Sequence, residues 1–234
     1  MSELLKIHGL SAGYGQKNII KDICFSSGSC GFVALMGPNG CGKTTLLRAV
    51  LGLLRIFSGN VLIRGEDVRS MGSKKRAKKM SFIPQASSPP AGFSAEEIIA
   101  MGRYPHDAGH DADRLAIENS IRRMDLNNLK DSDVSRISGG EYQRVLIARA
   151  LAQETEIMLL DEPTAHLDIK YRLDTMHILK SLKPEKLIIG VFHDTDLVRK
   201  YADRVILMKS GTIVADAPPG EALAGNLIHE VFGV

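Results

Sequence analysis

Gly37-Pro-Asn-Gly-Cys-Gly-Lys43-Thr44 is the stretch on which the fold turns. It fits G-x-x-x-x-G-K-[ST], in which the glycines let successive backbone N–H groups wrap a phosphate and the following helix adds the positive end of its dipole. In this reading Gly37, Asn39, Gly40, Cys41, Gly42, Lys43, Thr44 and Thr45 form a nucleotide site. Lys43 reaches the β- and γ-phosphates and Thr44 ligates Mg²⁺. A glycine-rich turn can match the pattern by chance. Here an apolar run, Gly31–Met36, precedes the loop, and apolar residues at helical spacing over 44–54 follow it, the order that a phosphate-binding unit requires. Cys41 lies among phosphate-facing N–H groups beside Lys43, a setting that lowers a thiol pKa, so a reactive cysteine is expected there.

Around this loop, 234 residues with 44% hydrophobic and 24% charged side chains describe a globular chain, one large domain or a core carrying a subdomain. A net charge of +3 is too mild to argue for nucleic acid. The longest apolar runs, such as Phe32 to Met36, fall far short of the ~18 residues of a membrane span. The N-terminal Met1-Ser-Glu-Leu-Leu-Lys-Ile-His8 lacks the apolar core of a signal peptide, so a cytoplasmic location is expected. Cys24, Cys30 and Cys41 are an odd set without zinc spacing and read as reduced thiols.

Strand-like runs over 4–7, 18–25, 31–36 and 61–63 suggest a small sheet entering a larger one. Ala86-Ser-Ser-Pro-Pro-Ala-Gly-Phe93 reads as a hinge, and Ser94 to Glu97 as a capping box opening a helical stretch that lasts to about 153. Residues 157–160 and 187–192 read as buried parallel strands with a helix between them. Runs at 204–208 and 212–215 flank Lys209-Ser210-Gly211 as a hairpin, followed by a short helix from Glu221.

The strand 157–160 delivers Asp161 and Glu162 to its C-terminal end, where a parallel sheet presents ligand-binding groups. Asp161 suits Mg²⁺, and Glu162 suits the polarisation of an attacking water. Ser138-Gly139-Gly140-Glu141 at a helix start is a second anion-binding surface, more than one nucleotide at the first loop needs.

With these elements in this order the chain resembles the ATP-binding cassette ATPases over essentially its full length. Tyr14 resembles the aromatic that stacks on adenine, Gln85 in Phe82-Ile-Pro-Gln the Q-loop glutamine, Ile137-Ser-Gly-Gly-Glu141 the signature motif, Ala165-His-Leu-Asp168 the D-loop, and His193 the switch histidine. The resemblance implies an α/β fold: a P-loop RecA-like core, an N-terminal antiparallel β-subdomain and an inserted helical subdomain. The divisions are 1–86, 87–153 and 154–234. It implies Glu162 and His193 as catalytic residues. Nucleotide contacts come from Tyr14, Gln85, Ser138, Gly139, Gly140, Glu141, Asp161 and Asp168 besides the loop, and Mg²⁺ contacts from Thr44, Gln85 and Asp161. It further implies a head-to-tail homodimer around two MgATP, working integral membrane permease subunits from the cytoplasmic side. An extracellular or periplasmic binding protein acts beyond them. Ile137, Glu141 and Ala165 depart from the commoner Leu, Gln and Ser or Asn, and Ala165 takes support from any reading of polar D-loop contacts across the dimer.

Met101-Gly-Arg-Tyr-Pro-His106 resembles the corresponding segment of cassettes from iron-siderophore, haem and cobalamin importers. Two other classes compete. A soluble cassette in translation or DNA repair would carry paired cassettes or a long coiled-coil insertion, and a P-loop kinase has no use for Ser138 to Glu141. The basic run Lys74-Lys-Arg-Ala-Lys-Lys79 reads as a solvated face, with no nucleic-acid partner expected. His106, His110 and His166 form no compact ligand set.

Overall fold

Short, wholly apolar strands are stable only when each face of their sheet is covered, and this requirement shapes the chain. A computed structural model describes residues 3–85 and 88–233. Its strands are β1 (Leu5–Tyr14), β2 (Lys17–Ser27), β3 (Gly31–Met36), β4 (Arg55–Ile63), β5 (Glu66–Asp67), β6 (Met80–Ile83), β7 (Ile157–Asp161), β8 (Leu187–Val191), β9 (Arg204–Lys209) and β10 (Thr212–Ala217). Its helices are α1 (Lys43–Val50), α2 (Ser73–Lys79), α3 (Ala95–Ala100), α4 (His110–Arg123), α5 (Gly139–Ala152), α6 (Ile169–Leu182), α7 (Thr195–Tyr201), α8 (Pro219–Ala222) and α9 (Gly225–Phe232). One sheet is antiparallel, in the order β2-β1-β4-β5. The other runs β10-β9-β3-β8-β7-β6, parallel except for the β9–β10 hairpin at its edge.

Alternation along the central strands assigns each residue to one of two cores. Phe32, Ala34 and Met36 of β3, Met158 and Leu160 of β7 and Ile188 of β8 join the cluster built with α3 to α9. Val33, Leu35, Ile157, Leu159, Leu187 and Ile189 join the other, with α1 and the antiparallel sheet. A parallel sheet covered on both sides is the two-faced core expected of α/β architecture.

The predicted capping box holds at α3: Ser94 Oγ accepts from the Glu97 N–H, and Glu97 Oε2 accepts from the Ser94 N–H. Residues 86 and 87 of the predicted hinge lie outside the described residues. Its far end is tied down where the Val134 N–H donates to the Phe93 carbonyl and the Gly92 N–H to Asp133. Helix α1 stops at Val50 rather than running to 54. Gly52 takes φ 68°, and the Gly52 and Leu53 N–H groups donate to the Ala49 and Arg48 carbonyls, a helix stop built on glycine. The tail folds as two helices, α8 and α9, instead of one. The basic run forms α2, which has no buried residue and pairs Lys74 with Asp107 and Lys75 with Glu66. Among the described residues no helix is long and apolar enough to cross a membrane.

Helices α3, α4 and α5 pack together, and Arg103 locks the group to the chain entering β7. Only 6% exposed, it donates to Asp113, Glu154 and the Ala152 carbonyl. Arg103→Ala is expected to cost about 2–3 kcal/mol, less than the ~3–5 of a fully buried pair because Asp113 and Glu154 keep contact with water. Urea unfolding measures this, and a loss under ~0.5 kcal/mol, the range of ordinary surface substitutions, would remove Arg103 from that role.

Candidate active site

The strand order β3-β8-β7-β6 brings four C-terminal ends side by side, although the chain visits them as β3, β6, β7, β8. Such ends are where open parallel sheets bind ligands. β3 ends in the glycine loop, β6 leads to Gln85, β7 ends at Asp161 and Glu162, and β8 leads to His193. Between them opens a cavity of about 510 Å³ lined by Asn39, Gly40, Gly42, Lys43, Thr44, Thr45, Gln85, Glu162 and His193.

The loop enters α1 through Gly42, whose φ of 109° suits glycine alone. The first N–H groups of any α-helix lack intrahelical acceptors, so α1 offers them to the cavity. Lys43 is buried, and its Nζ donates to the Gly37 and Pro38 carbonyls at 2.8 and 3.0 Å. Thr44 Oγ1 donates to Asp161 Oδ1 at 3.0 Å. Gln85 Nε2 donates to Glu162 Oε2 at 2.9 Å, and His193 Nε2 lies 3.0 Å from Glu162 Oε1. Glu162 is thus gripped from both neighbouring strands, with its backbone at φ 52°, a left-handed conformation that costs a non-glycine residue about 1 kcal/mol and that clusters at functional sites.

Asp161 is 3% exposed. Burial pushes its carboxyl up, the Thr44 hydrogen bond pulls it back, and the neighbouring Glu162 charge adds to the rise. The Asp161 carboxylate and the Thr44 hydroxyl bonded to it are hard oxygen donors of the kind Mg²⁺ takes, and this pair fits that ion, with Gln85 held on the adjacent Glu162.

The other sequence-predicted residues stand apart from this cavity. Tyr14 is exposed at the end of β1 and its hydroxyl accepts from Arg48 at 3.1 Å. Asp168 caps α6 by accepting from the Tyr171 N–H. Ser138 and Glu141 form a capping box at the start of α5. None of them lines the cavity, and neither do Gly139 and Gly140. The expected reactivity of Cys41 is overturned: its side chain is buried in the apolar cluster with Leu46 and Leu47, and burial, outweighing Lys43, raises its thiol pKa. What Cys41 can present to a ligand is backbone. Tyr171, which no motif singled out, lies against Gly140.

A strand, glycine loop and helix feeding a carboxylate-lined cavity define a nucleotide-binding α/β protein. The family model of the ABC transporter matches residues 20–165, and the chain belongs to that family. It is 36% identical to the ferric enterobactin transport ATP-binding protein FepC of Escherichia coli, covering 96% of this chain and 85% of that protein. It is 33% identical to the iron(3+)-hydroxamate import ATP-binding protein FhuC of Bacillus subtilis, covering 98% and 88%. Among solved structures, the ATP-binding cassette MJ0796, dimeric in a post-hydrolysis state with ADP and Pi bound, superposes with a TM-score of 0.80 at 26% identity, covering 92% of this chain and 98% of that one. The chain is an ATP-binding, ATP-hydrolysing member of the family.

Two outcomes follow from the burial of these groups. A carboxyl raised on folding is a burden only while ionised, so its cost is absent below the ordinary Asp value of ~3.9 and appears as pH rises through the elevated one. Asp161→Asn is therefore expected to raise the thermal midpoint at pH 7, with the gain fading as pH falls towards that value, while MgATP binding weakens. Equal midpoints at pH 7 would contradict the buried charge. For the cysteines, mass spectrometry after brief alkylation of the native chain should find label on the exposed Cys24 and Cys30, with Cys41 labelled only on unfolding.

Proposed function

We propose that this chain is the ATP-hydrolysing subunit of an importer, dimerising head to tail around two MgATP and driving integral membrane permease subunits from the cytoplasmic side. The substrate is an iron-siderophore, haem, cobalamin or a similar metal-containing compound handed over by an extracellular or periplasmic binding protein. The names of the iron-chelate relatives support the substrate class, and the dimeric cassette supports the facing pair. The chain is read as one cassette, with 1–86 and 154–234 forming the β-subdomain and core and 87–153 the helical subdomain.

The observation that carries this reading is Glu162 held between Gln85 and His193 at the rim of the glycine loop. Lys43 moves from its loop carbonyls to the β- and γ-phosphates, and Tyr14 offers its ring to adenine. Mg²⁺, held by Thr44, Asp161 and Gln85, neutralises charge on the phosphates when bound. Glu162 accepts a proton from the water that attacks the γ-phosphate, and His193 keeps the carboxylate oriented and faces the charge spreading over the phosphoryl oxygens. Ser138, Gly139, Gly140 and Glu141 of one copy, with its Asp168, face the nucleotide of the other.

For the permease, a groove of about 370 Å³ is available with Leu51, Phe82 and exposed Leu53 and Met101 on its walls. It adjoins β6, the strand that leads to Gln85, so a helix seated there would act on the same glutamine that holds Glu162. This is the route by which docking can govern hydrolysis.

Glu162→Gln keeps the shape and removes the base. Its turnover should fall by about 10²–10⁴-fold, and the protein should accumulate as an ATP-bound dimer, which adding Lys43→Ala abolishes. Size-exclusion chromatography with MgATP reads both results. A Glu162→Gln chain that turns over at the wild-type rate, or stays monomeric with ATP bound, would sink the facing-pair mechanism.

A further inference from the structure

Tyr171 joins the first turn of α6 to the first turn of α5. Its ring covers Gly140 so closely that a Cβ built there would lie 2.1 Å from Tyr171 Cδ1. The ring, more than any turn, is what demands glycine at 140. Tyr171 is itself fixed from the D-loop side, because its N–H donates to Asp168 Oδ1 at 3.0 Å and the next residue, Arg172, donates from Nε to the Leu167 carbonyl at 3.0 Å. The phenol oxygen lies 3.4 Å from Ser138 Oγ.

The direction of that last contact follows from counting protons. A serine hydroxyl carries one hydrogen and two lone pairs. Ser138 Oγ stands 2.7 Å from Glu141 Oε2 and accepts from the Glu141 N–H at 3.3 Å. The same Oε2 accepts from the Ser138 N–H at 2.8 Å, so it is an acceptor on the side that faces the serine hydroxyl. The single serine proton therefore goes to Glu141, and in the remaining contact Tyr171 is the donor. At 3.4 Å the contact lies beyond the usual O–H···O range, so in the lone chain the bond is weak.

We infer that Tyr171 is a positioning residue for ATP hydrolysis: its hydroxyl donates to Ser138 Oγ and holds that oxygen in place while the serine proton turns from Glu141 to a phosphate oxygen on the facing copy. The inference rests on the facing-pair reading above. Because Asp168 and Leu167 anchor the turn that carries Tyr171, the D-loop and the start of α5 present themselves to the partner as one rigid piece.

Tyr171→Phe preserves the ring over Gly140 and removes only the donor. Measured as full-length protein, the variant is expected to keep its thermal midpoint and its calorimetric affinity for ATP as a monomer. In the Glu162→Gln background its ATP-driven dimer should weaken about tenfold to a hundredfold, the usual threefold to tenfold worth of one hydrogen bond taken at both sites of the pair, and in the wild-type background kcat should fall with KM for ATP unchanged. Ser138→Ala is run alongside, alone and combined with Tyr171→Phe. A double variant no worse than Ser138→Ala supports action through the serine, whereas a further loss would mean that Tyr171 works elsewhere and would overturn the inference. Wild-type dimerisation and turnover in Tyr171→Phe, with Ser138→Ala defective, would overturn it and leave the facing pair standing. Ser138→Ala behaving as wild type would remove the facing pair, and the role of Tyr171 with it. A Phe variant that loses thermal midpoint and ATP affinity together would make Tyr171 a packing residue and equally overturn its positioning role.

Discussion

The site depends on one close approach. Gly37 carries the chain out of β3 so near to β9 that a side chain there would put its Cβ 2.1 Å from the Met208 carbonyl oxygen. With a hydrogen in that place the loop can turn against the hairpin, and the Cys41 carbonyl accepts from the Gly211 N–H at 3.0 Å. The Gly211 carbonyl in turn accepts from the Lys21 N–H of β2. A continuous line of backbone contacts therefore runs from the antiparallel sheet through the hairpin to the phosphate loop. The loop is held on two sides before any ligand is considered, which is the preorganisation that anion binding by backbone amides needs, since amides that had to be collected from a mobile loop would lose most of their advantage to chain entropy.

From that anchored loop the remaining groups follow by topology. Crossovers place β8 between β3 and β7, so residues separated by more than a hundred positions meet across neighbouring strands. Within the single chain the polar groups satisfy one another: Lys43 rests on carbonyls, Thr44 on Asp161, and Gln85 and His193 on Glu162. A ligand must exchange these bonds for its own, so each contributes only a difference to affinity, and an anion with several charged oxygens is the kind of ligand for which the exchange is favourable.

Much of this was legible in the sequence because the decisive signals are local. The glycine loop, the apolar strand ending in Asp161 and Glu162, the capping box at Ser94 and the helix start at Ser138 are written in consecutive residues and depend on backbone chemistry that few other residues supply. The errors share a cause as well. Leu53 and Leu54 keep the apolar spacing and carry the expected helix past its end at Val50, although Gly52 holds the stop signal. The sequence neighbours of Cys41 suggest a reactive thiol, whereas its side chain turns into the core and burial dominates. The contact of Tyr171 with Gly140 joins residues 31 positions apart, a pairing that no local pattern announces. Only Gly140 hinted at it, since a second glycine in Ser-Gly-Gly is more than a helix start requires.

The start of α5 differs in kind from the glycine loop, and the difference explains why one chain carries both. The loop's amides face a cavity of their own chain, but the first turn of α5 is occupied by its own Glu141 carboxylate and covered by Tyr171. A capping carboxylate is a resident anion. It stabilises the helix by about 1 kcal/mol and leaves the serine hydroxyl saturated until a stronger acceptor competes for its proton. In the facing pair proposed above, the γ-phosphate brought by the second copy is such an acceptor. On that proposal the helix is stable in the lone chain and still available in the pair, and the energy gained on closure is the difference between phosphate and carboxylate rather than the whole of a hydrogen bond. A closure driven by differences of that size remains reversible, as the proposed cycle of closing on ATP and opening after hydrolysis requires.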